Sequence, residues 1–135
     1  MALYGECVAL TFKAAFPGAL SSAAYKLLRI SGSDPLLGGP LVDVASGGHT
    51  QLLIGACREN VHALADRVPC IVLGECKIIA GAAVPANVMV TSDDEGRVIQ
   101  CTSGSFAIGM ALEASSVANE VIRVFVKSPP HRITY

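Results

Sequence analysis

Tryptophan is missing from this 135-residue chain, and aromatic residues make up only 5% of it. Proteins that bind single-stranded nucleic acid stack bases on aromatic rings, so a base-stacking platform is disfavoured. Charge is sparse as well, at 16% of residues, with 10 basic side chains against 11 acidic ones and a formal net charge of −1. A nucleic-acid binder normally carries a basic stripe that neutralises phosphates, and no direct nucleic-acid contact is expected here. No segment approaches the ~20 uninterrupted apolar residues of a membrane helix, so no membrane partner is expected either. The stretch from Met1 to Cys7 has no basic residue and includes Glu6. It does not look like a secretory leader, and the chain is expected to be cytosolic when made.

Catalytic and metal-binding patterns are also lacking. The five cysteines, Cys7, Cys57, Cys70, Cys76 and Cys101, include no Cys-x-x-Cys pair. Their odd number and spacing fit neither a zinc site nor a full disulfide framework, and they read as small buried hydrophobes. His49, His62 and His131 are far apart and not at ligand spacing. Gly47-Gly48-His49-Thr50 precedes no Gly-x-Ser-x-Gly elbow, so a plain glycine turn is the better reading. Glu113 and Glu120 flank one loop, as Glu59 and Asp66 flank another, but nothing in the sequence argues for a raised carboxyl pKa or a cleft. Asp93-Asp94-Glu95 lacks the alternating ligands and distal glutamate of a calcium loop. Followed by Gly96 and set between two apolar runs, it reads as a solvated hairpin tip. No catalytic, cofactor-binding or metal-binding residue is expected, and no enzyme activity.

What the chain does have is apolar content: 52% of its residues are hydrophobic. A domain of this size buries ~68% of its unfolded surface without a staple. So low a charge fraction implies that some apolar surface is covered by other chains. Turn residues punctuate the sequence about every eight positions from Gly32 to Gly48, the spacing of an all-β fold. Strands are expected over Val8–Phe12, Tyr25–Ile30, Gln51–Ala56, Pro69–Gly74, Cys76–Ile79, Asn87–Thr91, Val98–Cys101, Phe106–Leu112 and Glu120–Lys127, with at most one short helical turn near Ser21 to Tyr25.

Two stretches repeat one another. Ile54-Gly55-Ala56 matches Ile108-Gly109-Met110, and Ala65 to Leu73 aligns with Ala118 to Val126. Each copy reads as strand, loop, strand. Two copies are too few for a solenoid, which leaves a small single-domain β-barrel or jelly-roll-like sandwich with two pseudo-repeated strand-loop-strand units. The expected organisation is one domain over 1–135, with an N-terminal arm over 1–17 and a C-terminal tail over 128–135 in which Pro129-Pro130 keeps the chain extended.

Several motifs in order resemble the capsid decoration, or cement, proteins of tailed bacteriophages. They are Leu20 to Tyr25, Leu41 to Gly55 with Gly47-Gly48, Val72-Leu73-Gly74, Ala80 to Val84, Val90 to Arg97 and Ile108 to Ala114. The most specific piece is Ser92-Asp93 through Gly96-Arg97, followed a dozen residues later by Ile108-Gly109 through Leu112-Glu113-Ala114. The resemblance spans roughly Gly18 to Val126. It implies a small all-β protein made in the host bacterial cytoplasm that assembles, commonly as a homotrimer, on the outer surface of an icosahedral shell. There it would brace contacts between major capsid proteins. The other readings of the sequence are a small-ligand-binding β-barrel and a β-barrel enzyme with an unrecognised site.

Overall fold

A computed structural model of the chain describes residues 7–15, 23–33, 39–46, 53–57 and 67–132. Among these the fold is all-β, with strands β1 (Cys7–Ala14), β2 (Lys26–Ser33), β3 (Pro40–Val44), β4 (Leu53–Cys57), β5 (Arg67–Ile79), β6 (Met89–Ser92), β7 (Val98–Gln100), β8 (Phe106–Ala111) and β9 (Val121–Arg132). Five of them close into a barrel in the order β1-β3-β2-β4-β5, with β1 returning to pair with β5. The sheet then continues outward from β5 through β9, β8 and β6 to β7.

Parts of β2, β4 and β5 are buried on both faces because they separate two cores. Leu28, Val42, Val68, Cys70 and Val72 fill the barrel. Leu27, Leu53, Ile71, Ile108, Ile122 and Val124 belong to a second core, built with β6 to β9. Leu27 and Leu28, neighbours on β2, are both fully buried for this reason. Strand side chains alternate faces, so each leucine serves a different core.

β5 serves both cores along its length. A bulge in the β1–β5 ladder places Val8 opposite Leu73 but Ala9 opposite Ile71, leaving Val72 as the extra residue. An extra residue reverses which parity faces which side. Before the bulge Val68 and Cys70 point into the barrel, and after it Cys76 and Ile78 point into the second core with Ile71. Pro69–Gly74 and Cys76–Ile79, expected as two strands, are therefore one continuous strand of 13 residues. Gly74 does not break it but continues it with φ 121°.

The repeat is present in three dimensions, with one correction. Ala56 on β4 lies opposite Ile71, and Met110 on β8 lies opposite Phe125. Both members of the second pair come 54 positions after those of the first, whereas the sequence match of Ala65 with Ala118 uses 53. The structural register aligns Val68, Cys70 and Val72, all buried, with Ile122, Val124 and Val126, also buried. Burial periodicity fixes the true alignment, because a one-residue slip would turn every core side chain outward.

Three further expectations change. β3 was not anticipated, since the glycines on either side read as breakers; Pro40 stands at its first position, where the missing N–H is tolerated. The stretch expected as an N-terminal arm is, over Cys7–Ala14, strand β1, paired along β5 and at Lys13–Ala14 with β3. The tail expected from 128 onward continues β9 as far as Arg132. There the β8–β9 register jumps from Gly109–Val126 to Ala107–His131, so Lys127 to Pro130 face Ile108 alone. Two prolines lacking N–H donors fit a bulge where ladder bonds are already interrupted. Of the possible turn near Ser21 to Tyr25, Ala24 and Tyr25 form a turn with Tyr25 at φ 59°, while Ser21 and Ser22 lie outside the described residues.

Candidate functional site

One face of the sheet beyond the barrel mouth gathers most of the exposed apolar side chains. Directly paired residues share a face, as do residues two apart on one strand. Val8 pairs with Leu73, Leu73 with Lys127, and Phe125 with both Glu75 and Met110. Leu10 is two residues from Val8, and Val121 is four from Phe125. Val8, Leu10, Leu73, Met110, Phe125 and Val121 therefore lie on one surface of β1, β5, β9 and β8. All six are between 36% and 51% exposed. Of the described large apolar residues classed as exposed, only Tyr25 and Val117 lie elsewhere. Exposed apolar side chains gathered on one face are the feature that marks an interaction site, whereas single exposed leucines need no explanation.

Charged side chains interleave with these apolar ones: Lys127 lies opposite Leu73, Glu75 opposite Phe125, and Arg123 between Val121 and Phe125 on β9. Arg123 donates from Nε to Glu113 and from Nη1 to Glu75 Oε1 at 3.1 Å. Its guanidinium is held charged above its ordinary range by these two carboxylates. Lys77 and Lys127 share the same surface and are exposed. Glu113, one of the carboxylates weighed for catalysis, is thus an ion-pair partner.

Glu120, the other, organises a loop. Its Oε1 accepts hydrogen bonds from the Ser116 hydroxyl at 2.7 Å and from the backbone amides of Ser116 and Val117 at 2.9 Å each. Bonds to the Ser116 hydroxyl and to the two amides favour the ionised carboxylate and lower its pKa. The same loop is pinned through Ser115, whose hydroxyl donates to the Ala82 carbonyl at 2.8 Å and accepts from Val84 N–H at 3.0 Å. Val117 projects from this loop with 60% of its surface exposed.

Of the Asp93-Asp94-Glu95 cluster, Asp93 is occupied by its own hairpin. Oδ1 accepts from the amides of Glu95 and Arg97, both at 2.9 Å, and Oδ2 accepts from Arg97 Nε at 2.8 Å. Arg97 then reaches Asn119 Oδ1 at 3.1 Å, tying the hairpin to the Val117 loop. Gly81 packs so closely on Asp93 that a Cβ there would lie 2.3 Å from Oδ2. Only Asp94 and Glu95 form the solvated tip that the sequence implied.

Among the described residues no group of three His, Cys, Asp or Glu side chains is placed to hold a metal. Cys57, Cys70, Cys76 and Cys101 are buried and Cys7 is half-buried. Burial pushes the Cys70 thiol up to about 12, with Cys57 and Cys76 adding to the effect, and pushes Cys101 up to about 11. Such thiols are protonated and unreactive at neutral pH, as expected of buried hydrophobes. Gly47, Gly48, His49, Glu59, His62 and Asp66 lie outside the described residues, and His131 lies in β9 opposite Ala107. No described helix is long and apolar enough to cross a membrane. Sequence reasoning missed the exposed face because its members come from four strands whose pairing is not written in any one segment.

No protein-family profile matches the chain, and no curated protein matches it. A solved structure does. The head fiber gp8.5 N base of bacteriophage phi29 superposes with a TM-score of 0.63 at 16% sequence identity, over 93% of this chain and 98% of that one. The two chains share a fold over nearly all of the compared lengths.

Proposed function

We propose that the chain is a structural virion protein of a bacteriophage. In this reading it binds the outer surface of the icosahedral capsid as a homotrimer and stabilises contacts between major capsid proteins. It has no enzymatic role and no cofactor. The observation that carries the reading is the end-to-end fold likeness to the base of a phage head fiber. The capsid-decoration resemblance of the sequence points the same way by an independent route. The exposed face on β1, β5, β9 and β8 supports it too, since a protein that works by assembly needs apolar surface to bury against other chains.

Several weak contacts suffice for such a role. Linking three copies raises avidity by ~10² to 10⁴ over one contact, so a protomer of millimolar affinity decorates stably once trimeric. The test is release of packaged DNA on heating, measured on undecorated shells with and without the purified chain. Added chain should raise the release temperature, and an unchanged release profile at saturating protein would remove the stabilising role.

A further inference from the structure

β1 is open along one edge. Lys13 pairs with Arg67 of β5 on one side and with Leu41 of β3 on the other. The β5 ladder runs from Lys13 back to Cys7, whereas the β3 ladder covers only Lys13 and Ala14. From Val8 to Phe12 the outer edge of β1 therefore has no partner strand among the described residues. The main-chain groups on that edge can be named. The Ala15 amide donates to the Val42 carbonyl of β3 at 2.9 Å, so residue 15 faces the outer edge. Successive strand residues alternate edges, which puts Lys13, Thr11 and Ala9 on it as well. The position of Thr11 agrees, since it stands opposite Pro69, which has no N–H to exchange with it. Lys13 is engaged by β3, and the N–H and C=O groups of Ala9 and Thr11 remain open. Val8, Ala9, Leu10 and Thr11 are also all exposed, although a barrel strand normally buries alternate residues. Val8 to Phe12 contains no charge, proline or glycine, so the common devices that keep edges apart are missing.

We infer that β1 pairs antiparallel with β1 of a second copy about a two-fold axis at Leu10. The register selects a second copy as the occupant. With Leu10 opposite its own symmetry mate, Ala9 of each copy stands opposite Thr11 of the other. Those are two hydrogen-bonded pairs of two bonds each, and together they use every open group of Ala9 and Thr11 on both copies. The pairing ends at Lys13, whose edge β3 already holds. The side chains suit the same axis: Leu10 meets Leu10, Val8 meets Phe12 and Ala9 meets Thr11, with no like charges opposed. Such a contact is isologous. It cannot close a ring of three, so the inference goes beyond the proposed homotrimer and joins copies of different trimers.

Crosslinking tests the axis directly. Residues at a non-bonded antiparallel position have Cα atoms ~4.5 Å apart, within the ~4.4–6.8 Å that a disulfide spans. Leu10→Cys, oxidised in air with copper phenanthroline, should therefore run as a linked dimer on a non-reducing gel. Val117→Cys, at a side chain more exposed than Leu10, controls for random collision, and the wild-type chain controls for Cys7. In sedimentation velocity the wild-type chain should show a pairwise step, monomer to dimer or trimer to hexamer. Thr11→Pro should weaken that step by roughly tenfold or more, because proline removes an outward N–H and no bond to β5. Should Thr11→Pro lose its cooperative melt, Leu10→Lys replaces it. There like charges meet across the axis, and association should recover toward wild type as salt rises. A wild-type chain with no pairwise step, a Leu10→Cys chain that links no more than Val117→Cys, or folded edge variants that associate like wild type each overturns the inference. Pelleting with undecorated shells separates it from the capsid reading. Shell binding by a chain that fails these association tests leaves that reading standing, and shell binding lost in Leu10→Lys by a chain with no pairwise step gives the edge to a shell protein instead.

Discussion

Gly109 lies directly against the backbone of Phe125: a Cβ on this glycine would stand 2.0 Å from the Phe125 carbonyl oxygen. The same relationship holds 54 residues earlier, where a Cβ on Gly55 would meet the Ile71 carbonyl oxygen at 2.1 Å. Real Cβ atoms do not approach backbone this closely, so both hairpins of the repeat require glycine at the same place.

Alanine at either position should therefore already be costly, before any β-branched side chain is tried. Gly109→Ala and Gly55→Ala should each cost on the order of 3 kcal/mol, the upper range for overpacked sites. That is a fall in melting midpoint of roughly 10 °C for a domain of this size. Gly39→Ala, where a Cβ meets nothing within 4 Å, is the control and should melt near wild type. Tolerance of alanine at 55 and 109 in thermal melts would contradict the close approach.

Val124 is fully buried and faces the second core from β9. Val124→Asp places an unpaired charge there and should exceed the whole stability of an ordinary domain, roughly 5 to 15 kcal/mol at most. No cooperative thermal transition should remain at pH 7. Lys127→Asp, three positions on and exposed, should change stability by about 0.5 kcal/mol or less.

Asp93 receives three donors from its own hairpin. Asp93→Ala orphans all of them and should cost about 2 kcal/mol in chemical denaturation. Asp93→Asn keeps one acceptor oxygen and should lose about half as much. Equal losses in the two variants would mean that the hairpin does not depend on the acceptor.

The Cys70 thiol gives a pH dependence of known sign. Its folded pKa is raised from the ordinary 9.0 to about 12, chiefly by burial. Above pH 9 the unfolded chain releases this proton while the folded chain retains it. The contribution to stability is thus complete below pH 9 and falls as pH rises from 9 toward 12. Melting midpoints should decline over that window, and Cys70→Ala should make the decline shallower. At pH 8 a thiol reagent should label Cys7 in the native protein and reach Cys57, Cys70, Cys76 and Cys101 only on unfolding.

Local pattern made much of the fold legible. The strand expected over Glu120–Lys127 lies within β9, and the matched Ile54-Gly55 and Ile108-Gly109 mark the first strands of the two strand-loop-strand units. Features that depend on long-range pairing were not legible. β3 is a five-residue strand hidden between glycines, and the parity change of β5 comes from a bulge against β1, some 60 residues away in sequence. The one-residue error in the repeat alignment has the same origin: residue similarity tolerates either offset, while burial on a pleated sheet permits one. The exposed face was foreseen only as an excess of apolar residues, because its location follows from which strands are neighbours.

Attachment to a shell is the central claim, and co-sedimentation of the purified chain with undecorated capsids at low and high salt tests it most directly. With a formal net charge of −1 and apolar contact surface available, the chain should pellet with shells at both salt concentrations, unlike a complex held by exposed charge pairs. Chain that remains in the supernatant at every salt concentration, with shells in excess, would contradict the capsid account and return the fold to a ligand-binding barrel.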